Sequence, residues 1–188
     1  MRYLGLSLAL ASIIGCGNSI KPNADLTAAY LNDANLNKTD LGYANLFESH
    51  LRSADLSGSN LTHTNLQAAD LSRADLDGAS LSFADLKGAK LVSANLIGVD
   101  LSFADLGKAD LSGAVMTSAN LTQANLRKAN LTNANLSGAN LTGAFLRYSE
   151  GWDKATWTGA YYDTEHPAVW PKDMDPTTLG ITEKKPED

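Results

Sequence analysis

The sequence predicts an all-β solenoid, a parallel β-helix wound in about six four-sided coils. Three observations predict it. A leucine stands at every fifth residue from Leu26 to Leu146, with Met116 the single exception among 25 rungs. The residue two before each rung is Ala, with Thr39, Ser49, Ser59, Thr64 and Val99 as the only substitutes, and the residue just before it is Asp or Asn in 19 of 25 cases. Outward residues then recur every 20 positions: Tyr43, His63, Phe83 and Phe103 form one such series, and Thr62, Ser82, Ser102, Thr122 and Thr142 another.

A period of five excludes the simpler folds. An α-helix turns about 100° per residue, so leucines five apart scatter around it. A straight strand fails as well, because an odd spacing sends successive leucines to opposite faces. The chain must bend once per unit of A-(D/N)-L-x-x. Ala and Leu, two apart, then share the inside of the coil, and the 20-residue recurrence of outward residues sets four units to a coil.

In order, residues 1–15 form a short secretory signal pattern, with one charge at Arg2 and an apolar run from Tyr3 to Ile14. It is too brief to span a bilayer as a mature helix. Ile13-Ile14-Gly15-Cys16 resembles a bacterial lipobox, which implies cleavage before Cys16, the only cysteine, and lipid on its sulfur and new N-terminus. The alternative is an ordinary signal peptide with an incidental cysteine. Gly17 in place of Asp resembles the outer-membrane class of lipoproteins. Residues 16–23 are then the lipidated Cys and a linker, of which the seven after Cys16 reach at most about 24 Å. Residues 24–148 carry the repeat without insertion. Residues 149–170 are degenerate repeats whose register slips by one, with aromatic rungs at Trp152, Trp157 and Tyr162, and Trp170 beyond. Large rings there read as a cap over the last leucine layer. Residues 171–188, rich in Pro, Thr and charge, read as a mobile polar tail.

These residues resemble the pentapeptide-repeat family over roughly residues 24 to 163. The resemblance implies a right-handed quadrilateral β-helix. The run ATWTGAYYDTEHPAVWP, followed by Asp175-Pro176, also resembles the ending of many family members. Members often pair end to end at their caps, which implies a possible homodimer through Trp152, Trp157, Tyr162 and Trp170. Some members resemble duplex DNA and bind DNA gyrase, which is the runner-up function. Against it stand the export signal, acids spread over all faces, and Leu rather than Phe in the central rungs.

The outer surface offers two candidate sites. Tyr43, His63, Phe83 and Phe103 are expected to stack beside the hydroxyl ladder, and such rings either cover a corner or grip a sugar, a peptide or another protein. Lys87, Lys108, Arg127, Lys128 and Arg147 gather on one side, partly neutralised by Asp85 and Asp105, and suit anionic headgroups, polysaccharide or an acidic patch. Asn ladders, such as Asn45 under Asn65 and Asn120 under Asn140, are expected to hydrogen-bond from coil to coil. Stacked carboxylates at Asp55/Asp75 and Asp85/Asp105 lack the ligand spacing of calcium loops, so no metal and no cofactor is expected.

Net charge is −6, from 21 acidic and 15 basic residues, which disfavours nonspecific nucleic-acid binding. No phosphate loop, nucleophile elbow or HExxH occurs, and an uninterrupted solenoid is expected to have faces without pockets, so no enzyme is expected. The reading is a non-enzymatic, exported lipoprotein serving as an interaction or structural scaffold of the cell envelope. Its partner is an envelope protein or a cell-wall component. It would sit in the outer membrane or periplasm of a Gram-negative cell, or otherwise at the cell surface. A glycan or peptide binder using the aromatic stack is the further alternative.

Overall fold

The computed structural model describes residues 20 and 22–185. The signal-like segment and Cys16 lie outside the described residues. Within them the chain is a four-sided solenoid: Asp25, Tyr30, Asn35 and Asp40 each bridge in parallel to the residue 20 further on, and the 20-residue register holds through Asn130↔Glu150. Four bridges per turn of the coil make four sides.

One unit shows why five residues suffice. Asn45 N–H donates to the Ala24 carbonyl of the coil below, while Leu46 and Glu48 donate to Asn65 and Gln67 of the coil above, at 2.7–3.0 Å. Ser49 N–H closes the corner on the Leu46 carbonyl at 3.1 Å. The fifth donor, Phe47 N–H, has no carbonyl, and the Asn45 side chain accepts it at 3.3 Å. Every backbone donor of the unit therefore has a partner.

That fifth bond explains the Asp/Asn column. Each of the 19 Asp or Asn residues before a rung accepts the N–H two residues on, at 2.8–3.3 Å. The expected ladders form as a second layer: Asn65 donates to Asn45 at 3.0 Å. Asn140 departs from that expectation, because its amide reaches Thr122 Oγ1 at 3.1 Å instead of Asn120. Compensation also replaces the stacked-carboxylate repulsion: Asp55 accepts from Asn37, and Asp85 from Gln67 at 2.6 Å.

Each corner turns through a residue of positive φ two after the rung, as a type II turn requires. Only seven of these 25 corner residues are Gly. The others accept a left-handed backbone at a cost of about 1–2 kcal/mol each, which the fold offsets by burying leucine. Rungs from Leu41 to Leu146 are at most 1% exposed, and each buried Leu contributes about 1.5–3 kcal/mol.

Inward polar residues test how dry this core is. Ser59 and Thr64 return their hydroxyls to carbonyls three residues back, at 2.6 and 2.7 Å. Ser49, only 1% exposed, has no partner for its hydroxyl. Ser49→Ala should therefore raise unfolding stability by about 1 kcal/mol in urea titration; a loss of similar size would contradict the assignment.

At the C-terminal end the register lengthens. Asn135↔Thr156 and Asn140↔Tyr161 are 21 apart and Phe145↔Val169 is 24 apart. These offsets seat Trp157, Tyr162 and Trp170 above Leu136, Leu141 and Leu146. The expected rung at Trp152 is not formed, because the 20-residue register still holds there, Gly151 stands above Leu131, and Trp152 opens a 3₁₀ turn, Trp152–Lys154. The reading of residues 171–188 as a mobile polar tail is corrected as far as Lys185. Strand β2 (Thr182–Lys184) pairs in parallel with β1 (Tyr161–Asp163). Pro171, Met174 and Ile181 are buried. The segment wraps the aromatic layer because that layer would otherwise face water.

Candidate interaction surfaces

The left-handed corners decide what the outer columns can do. Tyr43, His63, Phe83 and Phe103 all occupy such corners, which project their rings away from the core. Bulky residues rarely accept positive φ. Here successive rings lie 4.7–4.9 Å apart and within 8° of parallel, and ring pairs return about 0.5–1.5 kcal/mol each. Stacking thus offsets the strain that the corner imposes.

The same geometry limits binding. Each inner ring face is covered by its neighbour, so a sugar seeking a ring face finds only the outer faces of Tyr43 and Phe103, where the column continues as Asn23 and Gln123. What the stack offers to solvent is a row of ring edges, with Tyr43 60% exposed and Phe103 45%. A second stack was not read from the sequence. Tyr30 and His50 lie 4.5 Å apart at 9°, in the column that continues as Asp70, Lys90, Asp110 and Asn130. Their 20-residue spacing was the available signal, but two members make a short series.

The five basic residues share one side of the rod, and all are exposed. Lys87 pairs with Asp105 at 3.6 Å. Arg127 lies 5.2 Å from the centre of the Phe145 ring, and Arg147 lies 5.9 Å from that of Tyr148. Lys108 and Lys128 occupy consecutive corners of one column.

Trp152, Trp157, Tyr162 and Trp170 all lie in the degenerate repeats at the C-terminal end. Trp157 is 2% exposed and donates its indole N–H to the Trp152 carbonyl at 2.9 Å. Tyr162 packs edge-on against Trp170 at 5.5 Å. Trp152 and Trp170 are half-buried, so any second copy docking on these four rings would meet chiefly those two. The Tyr162 hydroxyl donates to Glu183 at 2.7 Å, and burial together with that carboxylate pushes the phenol up to about 12. Below the ordinary phenol value of 10.0 both folded and unfolded chains hold the proton, and the stabilisation is fully present. As pH rises from there toward 12, only the folded chain holds it, so stability falls. Tyr162→Phe should remove part of that alkaline loss, read by urea unfolding at about pH 9 and about pH 11.

The expectation of faces without pockets fails at one place. Gln123, Gly143, Phe145, His166, Pro167 and Val169 line a shallow groove of about 270 Å³. It forms because the three residues added between Tyr162 and Trp170 loop outward. Asp163, Glu165 and His166 cluster on that loop, with His166 Nδ1 3.4 Å from the Asp163 carboxylate.

Comparison with known proteins then fixes the family. The pentapeptide-repeat family model, in eight copies, matches residues 23–58, 54–92, 79–117, 94–133 and 109–147. The chain belongs to the pentapeptide-repeat family. Membership brings with it the right-handed quadrilateral β-helix. Among solved structures it is similar to HetL, a pentapeptide repeat protein involved in heterocyst differentiation regulation from the cyanobacterium Nostoc sp. strain PCC 7120. Identity is 35% over 72% of this chain and 75% of that one, with a TM-score of 0.43. Rfr23 from the cyanobacterium Cyanothece 51142 is 38% identical over 51% of this chain and 63% of that one, with a TM-score of 0.48. A pentapeptide repeat protein from the Arabidopsis thaliana thylakoid lumen is 40% identical over 50% and 63%, with a TM-score of 0.34. The match thus spans less than two thirds of the latter two. Among curated proteins no relative matches it.

Proposed function

We propose that this pentapeptide-repeat protein is a non-enzymatic scaffold of about six four-sided coils closed by an aromatic cap. It is held at a membrane of the cell envelope by lipid on Cys16, and it presents its outer columns to an envelope protein or a cell-wall component. The observation that carries the reading is the ladder itself. From Leu26 to Leu146 each corner is a two-residue turn, so the described solenoid has no inserted loop in which a catalytic pocket is usually housed. What it has instead is a set of fixed columns whose side chains are placed by the backbone.

Anchoring is supported by the sequence Ile13-Ile14-Gly15-Cys16 after an apolar run. Radiolabelled palmitate should be incorporated into the wild-type chain and not into Cys16→Ala. Absence of label in the wild type would remove the anchor from the reading, and the scaffold would then have to be placed elsewhere. Crosslinking from the envelope fraction identifies the partner.

A further inference from the structure

The solenoid treats its acids and its cations unequally. Each of the nine Asp residues that precede a rung accepts a hydrogen bond from another side chain in addition to the N–H of its own corner. Lys108, Arg127, Lys128 and Arg147 receive no such provision. Lys108 and Lys128 stand one coil apart in one column, and Arg127 and Arg147 do so in the next. All four are exposed, and among the described residues none has a carboxylate within ion-pair distance. Like charges directly opposite in paired strands are destabilising. The fold therefore holds a repulsion that a ligand could relieve.

Charge is also unevenly spread along the rod. Residues 86–148 hold six basic and three acidic residues, while residues 24–85 hold three and nine. The basic strip is narrow. Asp105 lies on the same side, where Lys87 and Asn125 engage it; Asp110 and Glu150 border the strip on the following side, and Asp100 and Asp163 stand on the preceding one. A flat anionic bilayer or a nucleic-acid duplex, each wider than the strip, would meet those carboxylates. A single-file chain would not.

We infer that Lys108, Arg127, Lys128 and Arg147 form a docking strip for a linear polyanion carrying its phosphates in single file, laid along the corner parallel to the rod. At one coil per about 4.8 Å, the strip spans about 10 Å, enough for two or three successive phosphates. Phe145 and Tyr148 hold the two guanidinium groups spread along it. The strip is present whether or not Cys16 carries lipid, so failure of one reading leaves the other standing.

The test uses the full-length chain with inorganic polyphosphate as the probe, and phosphatidylglycerol vesicles and a DNA duplex as comparison ligands. Polyphosphate should bind at low salt with a log–log salt slope of about −2, from two or three phosphates at about −0.7 each. Replacing all four cations with Gln should weaken binding at least about tenfold and flatten that slope. Lys90→Gln, on the adjacent side, should leave it unchanged. Should the fourfold variant not fold, Arg127→Gln with Arg147→Gln is expected to halve the slope. Undiminished polyphosphate binding by the folded variant overturns the inference. So does a wild-type chain that ignores polyphosphate at low salt, or one that prefers vesicles or duplex.

Discussion

Trp157→Ala should destabilise the folded chain by about 3–5 kcal/mol. The indole is the largest fully buried side chain of the cap, and its N–H is tied to the Trp152 carbonyl at 2.9 Å. Truncation leaves a cavity in the last full layer of the solenoid, and the Trp152 carbonyl keeps only the Ala155 N–H, at 3.3 Å. In a repeat protein each coil is stabilised by its neighbours, so a terminal layer that loosens exposes the leucines beneath it. Met174 and Ile181, which cover that layer, lose their packing in the same event. Urea unfolding supplies the number, and hydrogen exchange at Leu136, Leu141 and Leu146 should rise with it. A cost below about 1 kcal/mol would show that the wrapped segment closes the rod without the indole.

The C-terminal end also marks the limit of what spacing encodes. Rungs, sides and the aromatic stack were legible because each is a spacing, and a spacing survives any substitution at the other positions. Trp152, Trp157 and Tyr162 keep a five-residue step and read as rungs, which holds for the last two, while Trp152 sits one residue past the rung position above Leu131. Trp170 does not, since three further residues intervene, and its place above Leu146 follows only from the Phe145↔Val169 bridge. Met174 and Ile181 carry no period at all. Scattered among Pro, Thr and charge, they read as a tail, and what buries them is contact with rings that no local pattern announces. The corner bond of each Asp or Asn was likewise hidden. Its residue type pointed to ladders between coils, whereas the nearer acceptor role, two residues on, is shared by all 19.

Strain and compensation explain which surface columns vary. A left-handed corner costs least with Gly, yet this chain places aromatic rings at Tyr43, Phe83 and Phe103 and cations at Lys108 and Lys128. Rings in a column recover the cost by stacking. Cations in a column add repulsion to it. The two columns are therefore not equivalent as candidates for function: the first is stabilised from within, and the second becomes more favourable when something else binds.

Leu96→Asp tests the ladder at its centre. The side chain is 0% exposed, between Leu76 one coil below and Met116 one coil above. A carboxylate there loses its water without gaining a partner, and the lost leucine leaves a gap; together these should cost about 5 kcal/mol or more. Because coils contact only their neighbours, the damage should spread outward from the substituted coil rather than strike every coil equally. Hydrogen exchange should then be fastest between residues 76 and 116, and proteolysis should cut there first. Leu96→Met is the counterpart, expected to cost less than about 1.5 kcal/mol, since Met116 already serves as a rung with no exposed surface. If the Asp variant unfolded in one transition with uniform exchange along the rod, the coils would be coupled far more tightly than nearest-neighbour stacking allows. Stability would then belong to the whole solenoid, and the fixed columns on its surface would stand or fall together.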